Sequence, residues 1–165
     1  MKLLATIQDK PVPTDPKPQT REASRGVFFD DENRVAMIYV GKHDYHKLPG
    51  GGIEEGENPL QAMKREMLEE TGCEIVVTGE IGMVNEYRSE QDLLQTSYCY
   101  YGKILSKGVP QLTEKEKTSG FQITWMTLDE AIQKVESDHA KNYHGARVQK
   151  RDIAVLKAVE IILKK

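Results

Sequence analysis

The 165-residue sequence has no long apolar segment. No run of apolar residues approaches the roughly 18 residues that are needed to span a bilayer. The N-terminal stretch MKLLATIQDKP lacks the apolar stretch and the small-residue cleavage site of a secretion signal. We therefore expect a protein without a membrane span that resides in the cytoplasm.

Cysteine is scarce, since only Cys73 and Cys99 occur. Two cysteines are too few for a disulfide framework, and neither has neighbours that resemble a pair of zinc ligands. We predict that both are buried and behave as small hydrophobic side chains, with a catalytic thiol as the alternative. Hydrophobic residues at 38% and charged residues at 30% are typical of one globular domain.

Basic residues are few outside the C-terminal end. Residues 139–165 hold seven Lys and Arg against two Asp and Glu, whereas the whole chain has a net charge of −3. A chain whose main part is acidic lacks the broad basic face that nucleic acids require, so we expect no stable nucleic-acid complex. The basic end is either a solvated helix face or a source of cations for substrate phosphates.

The apolar periodicity predicts one domain with a mixed sheet and helices packed on it. Residues 10–19 contain four prolines and are predicted to be an extended loop, and residues 41–56 are a polar, glycine-rich loop. The predicted strands are 2–7, 26–29, 34–40, 74–87, 93–105 and 121–126, and the predicted helices are 59–71, about 127–135 and 148–163.

Residues 59–71 have clear helix boundaries. Asn58 is a good N-cap, proline at position 59 loses no hydrogen bond in the first turn, and Gly72 ends the helix. A spacing of three and four residues predicts an apolar face that packs on the sheet. This face is predicted to consist of Leu60, Met63 and Met67, with Leu68 at its edge.

The same helix carries Glu66, Glu69 and Glu70 on a neighbouring arc. Glu66 and Glu70 are four residues apart and repel by about 0.2–0.5 kcal/mol. All three also lie near the C-terminal end, where the helix dipole disfavours negative charge. Clustered carboxylates suit Mg²⁺ or Mn²⁺, and the three glycines at 50–52 permit close approach of a ligand. A solvated acidic surface is the alternative.

Residues 51–73, GGIEEGENPLQAMKREMLEETGC, resemble the Nudix box G-x5-E-x7-R-E-U-x-E-E-x-G-U, in which U is a bulky aliphatic residue. The one departure is Cys73, which packs as a small hydrophobic residue. The resemblance implies a Nudix-like α/β/α sandwich with a mixed β-sheet between helices, as a single domain over 1–165. The matching positions are Gly51, Glu57, Arg65, Glu66, Met67, Glu69, Glu70 and Gly72.

The resemblance also implies an activity and residue roles. The activity is metal-dependent hydrolysis of a phosphoanhydride bond in a nucleoside diphosphate-linked substrate, with Mg²⁺ or Mn²⁺ as cofactor. Arg65 would pair with Glu57 and orient the carboxylates. The general base would be a box glutamate such as Glu69 or Glu66, or Glu114 or Glu116 from a later loop, of which Glu116 is preferred. The implied metal ligands are the Gly51 carbonyl and the side chains of Glu66, Glu69 and Glu70.

The sequence does not fix what is attached to the diphosphate. Some Nudix enzymes that act on ADP-ribose carry a proline downstream of the box, and this chain has no proline between Pro59 and Pro110, so the resemblance argues mildly against ADP-ribose. The compact length resembles that of the Nudix group that cleaves nucleoside triphosphates, including oxidised ones, to a monophosphate and pyrophosphate, and we expect such a substrate. Dinucleoside polyphosphates, nucleotide sugars, RNA 5′ ends and a non-catalytic nucleotide-binding role stay open, and a homodimer is expected from family habit only. The candidate substrate-binding residues, each with packing or a surface position as the alternative, are Arg25, Tyr87, Arg88, Tyr143 and Arg147.

Overall fold

The computed structural model describes residues 1–165 as an eight-stranded mixed sheet with helices on both faces. The strands are β1 (Leu3–Gln8), β2 (Gln19–Phe29), β3 (Arg34–Val40), β4 (Tyr45–Lys47), β5 (Gly50–Gly52), β6 (Glu74–Arg88), β7 (Leu93–Ser106) and β8 (Phe121–Thr127). The helices are α1 (Pro59–Thr71), α2 (Glu114–Thr118), α3 (Leu128–Ser137) and α4 (Tyr143–Leu163), and Ser89–Gln91 form a 3₁₀ turn.

The sheet has the order β1-β6-β7-β2-β3-β4, with β5 paired to β2 and β8 paired to β3. The pairs β1–β6 and β2–β7 are parallel, and the remaining pairs are antiparallel. Two parallel neighbouring strands can be joined only by a connection that crosses over the sheet, and such connections place helices on its faces. The sheet is therefore mixed, as the sequence predicts.

Two apolar layers fill the space between the sheet and the helices. On one face Met63 and Met67 of α1 pack with Phe28 and Tyr100 of the sheet. On the other face the apolar side chains of α3 and α4 pack against sheet residues such as Val27. Burial of apolar area on both faces stabilises the sandwich, at roughly 25 cal/mol per Å². The predicted α/β/α architecture is confirmed.

Four features of the secondary structure differ from the prediction. The first hairpin strand begins at Gln19 rather than residue 26, because its N-terminal part pairs in parallel with β7. The segment predicted as a glycine-rich loop contains strands β4 and β5. These strands form because Tyr45–Lys47 pair with β3 and Gly50–Gly52 pair with Ala23–Arg25 of β2. Helix α4 begins at Tyr143, where Asn142 accepts a hydrogen bond from the Gly145 N–H. Helix α2 was not predicted.

The buried face of α1 also differs from the prediction. Leu60 and Leu68 are 42% and 47% exposed, so assigning them to the packed face was wrong. Ala62 lies fully buried instead, because the helix is rotated so that its inner face continues from the methionines to the glutamates. The buried residues of α1 are Ala62, Met63, Glu66, Met67, Glu70 and Thr71.

Cys73 and Cys99 are free thiols and both are buried, which confirms that they pack as small hydrophobic side chains. Among the helices, none combines the length and the apolar character that crossing a membrane requires.

Candidate active site

Helix α1 is held in place at both ends. Asn58 and Gln61 form a reciprocal capping box at the first turn. Gly72 ends the helix in the left-handed conformation, with φ of 72°. A Cβ atom at this position would lie 2.5 Å from the backbone carbonyl of Gly108, so only glycine fits. These local signals place the glutamates in the last two turns, as the sequence predicts.

The glycine strand β5 lies directly against α1. A Cβ atom on Gly51 would lie 2.3 Å from Oε1 of Glu66, so a larger side chain at this position would displace that carboxylate. The backbone of Gly51 therefore borders the Glu66 carboxylate. The three consecutive glycines thus have a steric reason as well as a conformational one.

Glu70 is a buried carboxylate that is fully engaged by the protein. Its Oε2 accepts a hydrogen bond of 2.8 Å from the Gly50 N–H, and its Oε1 accepts one of 2.8 Å from Nζ of Lys47. Lys47 is itself buried. Lys47 was missed from the sequence, where the nearest cations to the glutamates are Lys64 and Arg65. Its position next to the glycine run is the signal that could have indicated it.

Arg65 connects the loop and the helix. Its Nε and Nη2 donate to the two carboxylate oxygens of Glu57, at 2.6 and 2.9 Å, and Nη2 also donates to the Gly52 carbonyl at 2.9 Å. Its Nη1 donates to Glu66 at 2.9 Å and to Glu69 at 3.2 Å. The hydrogen bond from Arg65 lowers the pKa of Glu57 below its ordinary value. One guanidinium group thus orients three box carboxylates.

Glu66 lies in a region that disfavours its negative charge. Burial raises the pKa of Glu66, and the neighbouring charge of Glu70 raises it further, although the hydrogen bond from Arg65 opposes both effects. An additional cation at this point would favour the ionised carboxylate. The electrostatics of the site therefore suit a positively charged ligand.

The oxygen atoms of the box glutamates are of the kind that binds a divalent metal ion, but the side chains are not arranged around a metal site in this structure. No group of three or more His, Cys, Asp or Glu side chains converges in an arrangement that could hold a metal. Glu66 and Glu69 do converge on one cation, the Arg65 guanidinium, whereas Glu70 is turned to Lys47. A metal ion would need these carboxylates to rotate away from their present partners.

The segment that carries Glu114 and Glu116 approaches the box, but these two carboxylates bind other groups. The Gln111 N–H donates to the Glu69 carbonyl at 2.7 Å, which places the loop beside the end of α1. Glu116 forms a capping box with Thr113, whose N–H donates to the Glu116 carboxylate at 2.9 Å. Glu114 pairs with Lys117. The structure does not bring these two carboxylates to the box, and the role of Glu116 as base stays a prediction.

Three of the candidate substrate-binding residues lie together at the corner where α4 meets β1 and β6. The Tyr87 hydroxyl donates to Asp92 at 3.1 Å, and the Tyr143 hydroxyl donates to Asp9 at 3.0 Å. Arg147 is buried and donates to the carbonyls of Ile7 and Tyr87. These contacts tie the N-terminal strand to the helix, and a substrate role for the three residues stays a prediction.

Arg25 and Arg88 are the other two candidates, and both side chains are buried on the α4 face of the sheet. Nη1 of Arg25 lies 3.0 Å from the Cβ position of Gly50, so its guanidinium group adjoins the glycine strand. Arg25 is therefore the candidate that the structure brings closest to the box.

Asp152 of α4 is a further residue that the sequence reasoning missed. It is 0% exposed, and its Oδ2 accepts a hydrogen bond of 2.7 Å from the Leu48 N–H, just before the glycine strand. Its Oδ1 accepts one from Nε of Arg151. An Arg-Asp pair within an otherwise apolar helix face was the available signal, since buried charges need specific partners.

Comparison with known proteins places this geometry in a family. The NUDIX domain model matches residues 20–145. An RNA pyrophosphohydrolase of Sulfurovum is 32% identical over 106 residues, which are 59% of this chain and 68% of that protein. An RNA pyrophosphohydrolase of Bartonella bacilliformis is 38% identical over 64 residues, 32% of this chain and only 38% of that protein's length.

Solved structures agree at the level of the fold. The MutT protein of Methanosarcina mazei has a TM-score of 0.62 at 14% identity, and the match covers 90% of this chain and 98% of that one. The E. coli ORF135 protein has a TM-score of 0.60 at 18% identity, with 88% and 91% covered. Because the family match spans most of the chain and includes the complete box, the chain belongs to the Nudix family.

Proposed function

We propose that this protein hydrolyses a phosphoanhydride bond in a nucleoside diphosphate-linked substrate with the help of Mg²⁺ or Mn²⁺. The observation that supports the proposal is the convergence of Glu66 and Glu69 on one cation, Nη1 of Arg65, beside the backbone of Gly51. A cluster of this kind is costly unless positive charge is bound to it.

The residues that would hold the metal are Gly51, through its carbonyl, and Glu66, Glu69 and Glu70 through carboxylate oxygens. These are hard oxygen ligands, which Mg²⁺ and Mn²⁺ prefer. When bound, such an ion neutralises phosphate oxygens and makes a bound water more acidic.

The protein's own groups would orient and move a proton. Arg65 holds Glu57 with two hydrogen bonds and thereby fixes the direction in which Glu66 and Glu69 point. Glu69 is the most exposed of the four glutamates that match the box pattern, with 40% of its side chain accessible. We assign it the role of accepting the proton of the attacking water, and Glu116 is the alternative base.

For the substrate, a nucleoside triphosphate that is cleaved to the monophosphate and pyrophosphate is the first choice. Structural neighbours named MutT share the fold, which supports this choice. Dinucleoside polyphosphates and nucleotide sugars are the alternatives within the same chemistry. We expect no stable nucleic-acid complex, and a homodimer stays an expectation.

Removal of pyrophosphate from RNA 5′ ends is a second candidate, because two relatives are named RNA pyrophosphohydrolase. The acidic main part of the chain argues against a long RNA track. Activity on an RNA with a 5′-triphosphate should then depend on salt no more steeply than activity on a nucleotide. A much steeper dependence on RNA would favour this second candidate.

The test of the proposal is a Mg²⁺-dependent screen of nucleoside triphosphates, dinucleoside polyphosphates and nucleotide sugars. Released phosphate is measured after treatment with a phosphatase. Glu69→Gln should lower turnover by about 100-fold or more, the usual scale for removal of a general base. Glu55→Gln changes the same charge at an exposed position and serves as the control. Equal turnover in the two variants would refute the assignment of Glu69.

A further inference from the structure

Four arginines meet where α4 packs on the sheet, three from the sheet and one from the helix. We name them the arginine cluster: Arg21, Arg25, Arg88 and Arg151. Arg21 of β2, Gln95 of β7 and Glu86 of β6 form one row across three neighbouring strands. Arg88 and Arg151 approach the same row, at 3.8 and 3.7 Å from the Glu86 carboxylate. The cluster therefore has a defined centre at Gln95 and Glu86.

Two guanidinium groups of the cluster share one neutral acceptor. Nη1 of Arg21 and Nη2 of Arg88 both donate to Oε1 of Gln95, the latter at 3.4 Å. An amide oxygen carries no formal charge, so it compensates poorly for two neighbouring cations. An anion at this point would be a better partner for both arginines.

Several buried donors of the cluster have no hydrogen-bond partner in the protein. Nε of Arg25, Nε of Arg88 and both Nη atoms of Arg151 are buried without a hydrogen bond, and one acceptor, Oε1 of Glu86, is in the same state. The exposed fractions of these three arginines are only 6%, 5% and 1%. Leaving a buried donor without a partner is costly, so the burial of these donors needs a reason.

The charges of the cluster do not balance. The three buried guanidinium groups, those of Arg25, Arg88 and Arg151, are accompanied by the carboxylates of Glu86 and Asp152, and Asp152 also accepts a hydrogen bond from the Leu48 N–H. A third carboxylate, that of Glu70, acts on Arg25 but is paired with the buried Lys47. Burial, together with the nearby charge of Arg151, lowers the pKa of Arg25 to about 10. The interior between β2, β6, β7 and α4 therefore has a surplus of positive charge.

The cluster adjoins the box through the glycine strand. The Cβ position of Gly50 lies 3.0 Å from Nη1 of Arg25, and that of Gly52 lies 2.8 Å from Nη2 of Arg21. Gly51, between them, faces Glu66 instead, because successive residues of a strand point to opposite sides. One strand thus separates the box carboxylates from the arginines. Arg21 is exposed and donates a hydrogen bond to the buried Gln95, so its side chain connects the surface to the centre of the cluster.

We propose that the arginine cluster binds a phosphate group of the substrate that lies beyond the diphosphate whose bond is cleaved. The assignment to the substrate rests on the proposed function, whereas binding of the anion does not. The site favours nucleoside triphosphates and dinucleoside polyphosphates over nucleotide sugars, because only the former carry phosphate beyond the diphosphate. Arg21 and Arg88 are then specificity-determining residues.

The binding test uses inorganic phosphate with the metal removed by EDTA, so that the box cannot contribute a metal-bridged site. The midpoint of thermal unfolding is measured against phosphate concentration, with chloride at matched ionic strength. Arg21→Gln should raise the phosphate dissociation constant about tenfold, the scale of one lost charge-assisted hydrogen bond. Lys103→Gln, which removes an exposed charge, should leave it unchanged.

Arg88→Gln should have the larger effect, and Arg88→Lys should recover part of the binding. Equal stabilisation by phosphate and chloride, or equal phosphate binding in Arg21→Gln and Lys103→Gln, would overturn the proposal. Because this measurement needs neither metal nor turnover, its outcome is independent of the proposed hydrolysis.

A second measurement identifies the source of the phosphate. With Mg²⁺ and a triphosphate substrate, inorganic phosphate should inhibit competitively, and Arg21→Gln should raise KM for the triphosphate more than for a nucleotide sugar. Noncompetitive inhibition, or equal changes in KM for the two substrates, would overturn the assignment to a substrate phosphate.

Discussion

Asp152 of the last helix accepts a hydrogen bond of 2.7 Å from the Leu48 N–H, although the two residues are 104 positions apart in the chain. Leu48 precedes the glycine strand that borders the box glutamates. The carboxylate of Asp152 is 0% exposed and is also bound by Arg151. The C-terminal helix therefore holds the chain at Leu48, just before the glycine strand Gly50–Gly52.

Asp152→Asn should destabilise the protein and weaken catalysis. The substitution removes a buried negative charge beside Arg151, and loss of one partner of a buried ion pair costs about 3–5 kcal/mol. The free energy of unfolding is measured by urea denaturation. Glu160→Gln, which removes a pair with Lys164 on the exposed side of the same helix, should cost under about 1 kcal/mol. Equal stabilities for the two variants would contradict a role for Asp152 in holding the loop.

Gly51→Ala should lower kcat strongly while the fold is kept. The new Cβ atom would lie 2.3 Å from Oε1 of Glu66, so that carboxylate must move from the position set by Arg65. We expect a loss of turnover of about 100-fold, since small displacements at a catalytic site have effects of this size. Gly41→Ala, whose Cβ atom meets its nearest neighbour at 3.4 Å, is the control. A Gly51→Ala enzyme as active as the Gly41→Ala enzyme would rule out this steric requirement.

Mg²⁺ should stabilise the folded protein more at pH 8 than at pH 5. Burial raises the pKa of Glu66, so its ionisation weakens the native state as the pH rises through the folded pKa, and a bound cation removes this penalty. Acid in turn competes with the metal for the carboxylates. At a hundredfold excess over Kd, binding contributes about 2.7 kcal/mol to stability.

The effect of Mg²⁺ can be followed by the unfolding midpoint with and without the ion at the two pH values. Glu66→Gln should lose most of the Mg²⁺-dependent gain and should be at least as stable as the unsubstituted protein in EDTA. If the gain were the same at both pH values, or persisted in Glu66→Gln, Glu66 would not be a ligand.

The thiol of Cys99 should be inert in the folded protein. Burial raises its pKa to about 12, so almost no thiolate exists at pH 8, and the thiolate is the reactive form. A thiol-reactive dye should label neither cysteine of the native protein and both after unfolding in urea. Cys73→Ala leaves Cys99 as the one thiol for the assay. Rapid labelling of that variant in buffer would contradict the prediction, because it would show that the surroundings of Cys99 open to solvent in the folded protein.

The sequence by itself determined the features that depend on near neighbours in the chain. Helix α1 has the predicted boundaries, Pro59–Thr71, because its Asn58 cap and its Gly72 terminator act within one turn. The hairpin of β2 and β3 and the spacing of the box glutamates are likewise local. These signals also suffice to indicate the family, because the box lies within one continuous segment.

Only the tertiary structure decided which groups surround the glutamates. It turned Leu60 and Leu68 outward and buried Glu66 and Glu70, it set Lys47 against Glu70, and it joined Asp152 to Leu48. These contacts depend on how α1 is rotated on the sheet and on where α4 crosses it. A helical pattern fixes the spacing of side chains along one element, but the energy of packing against distant elements selects the face that is buried.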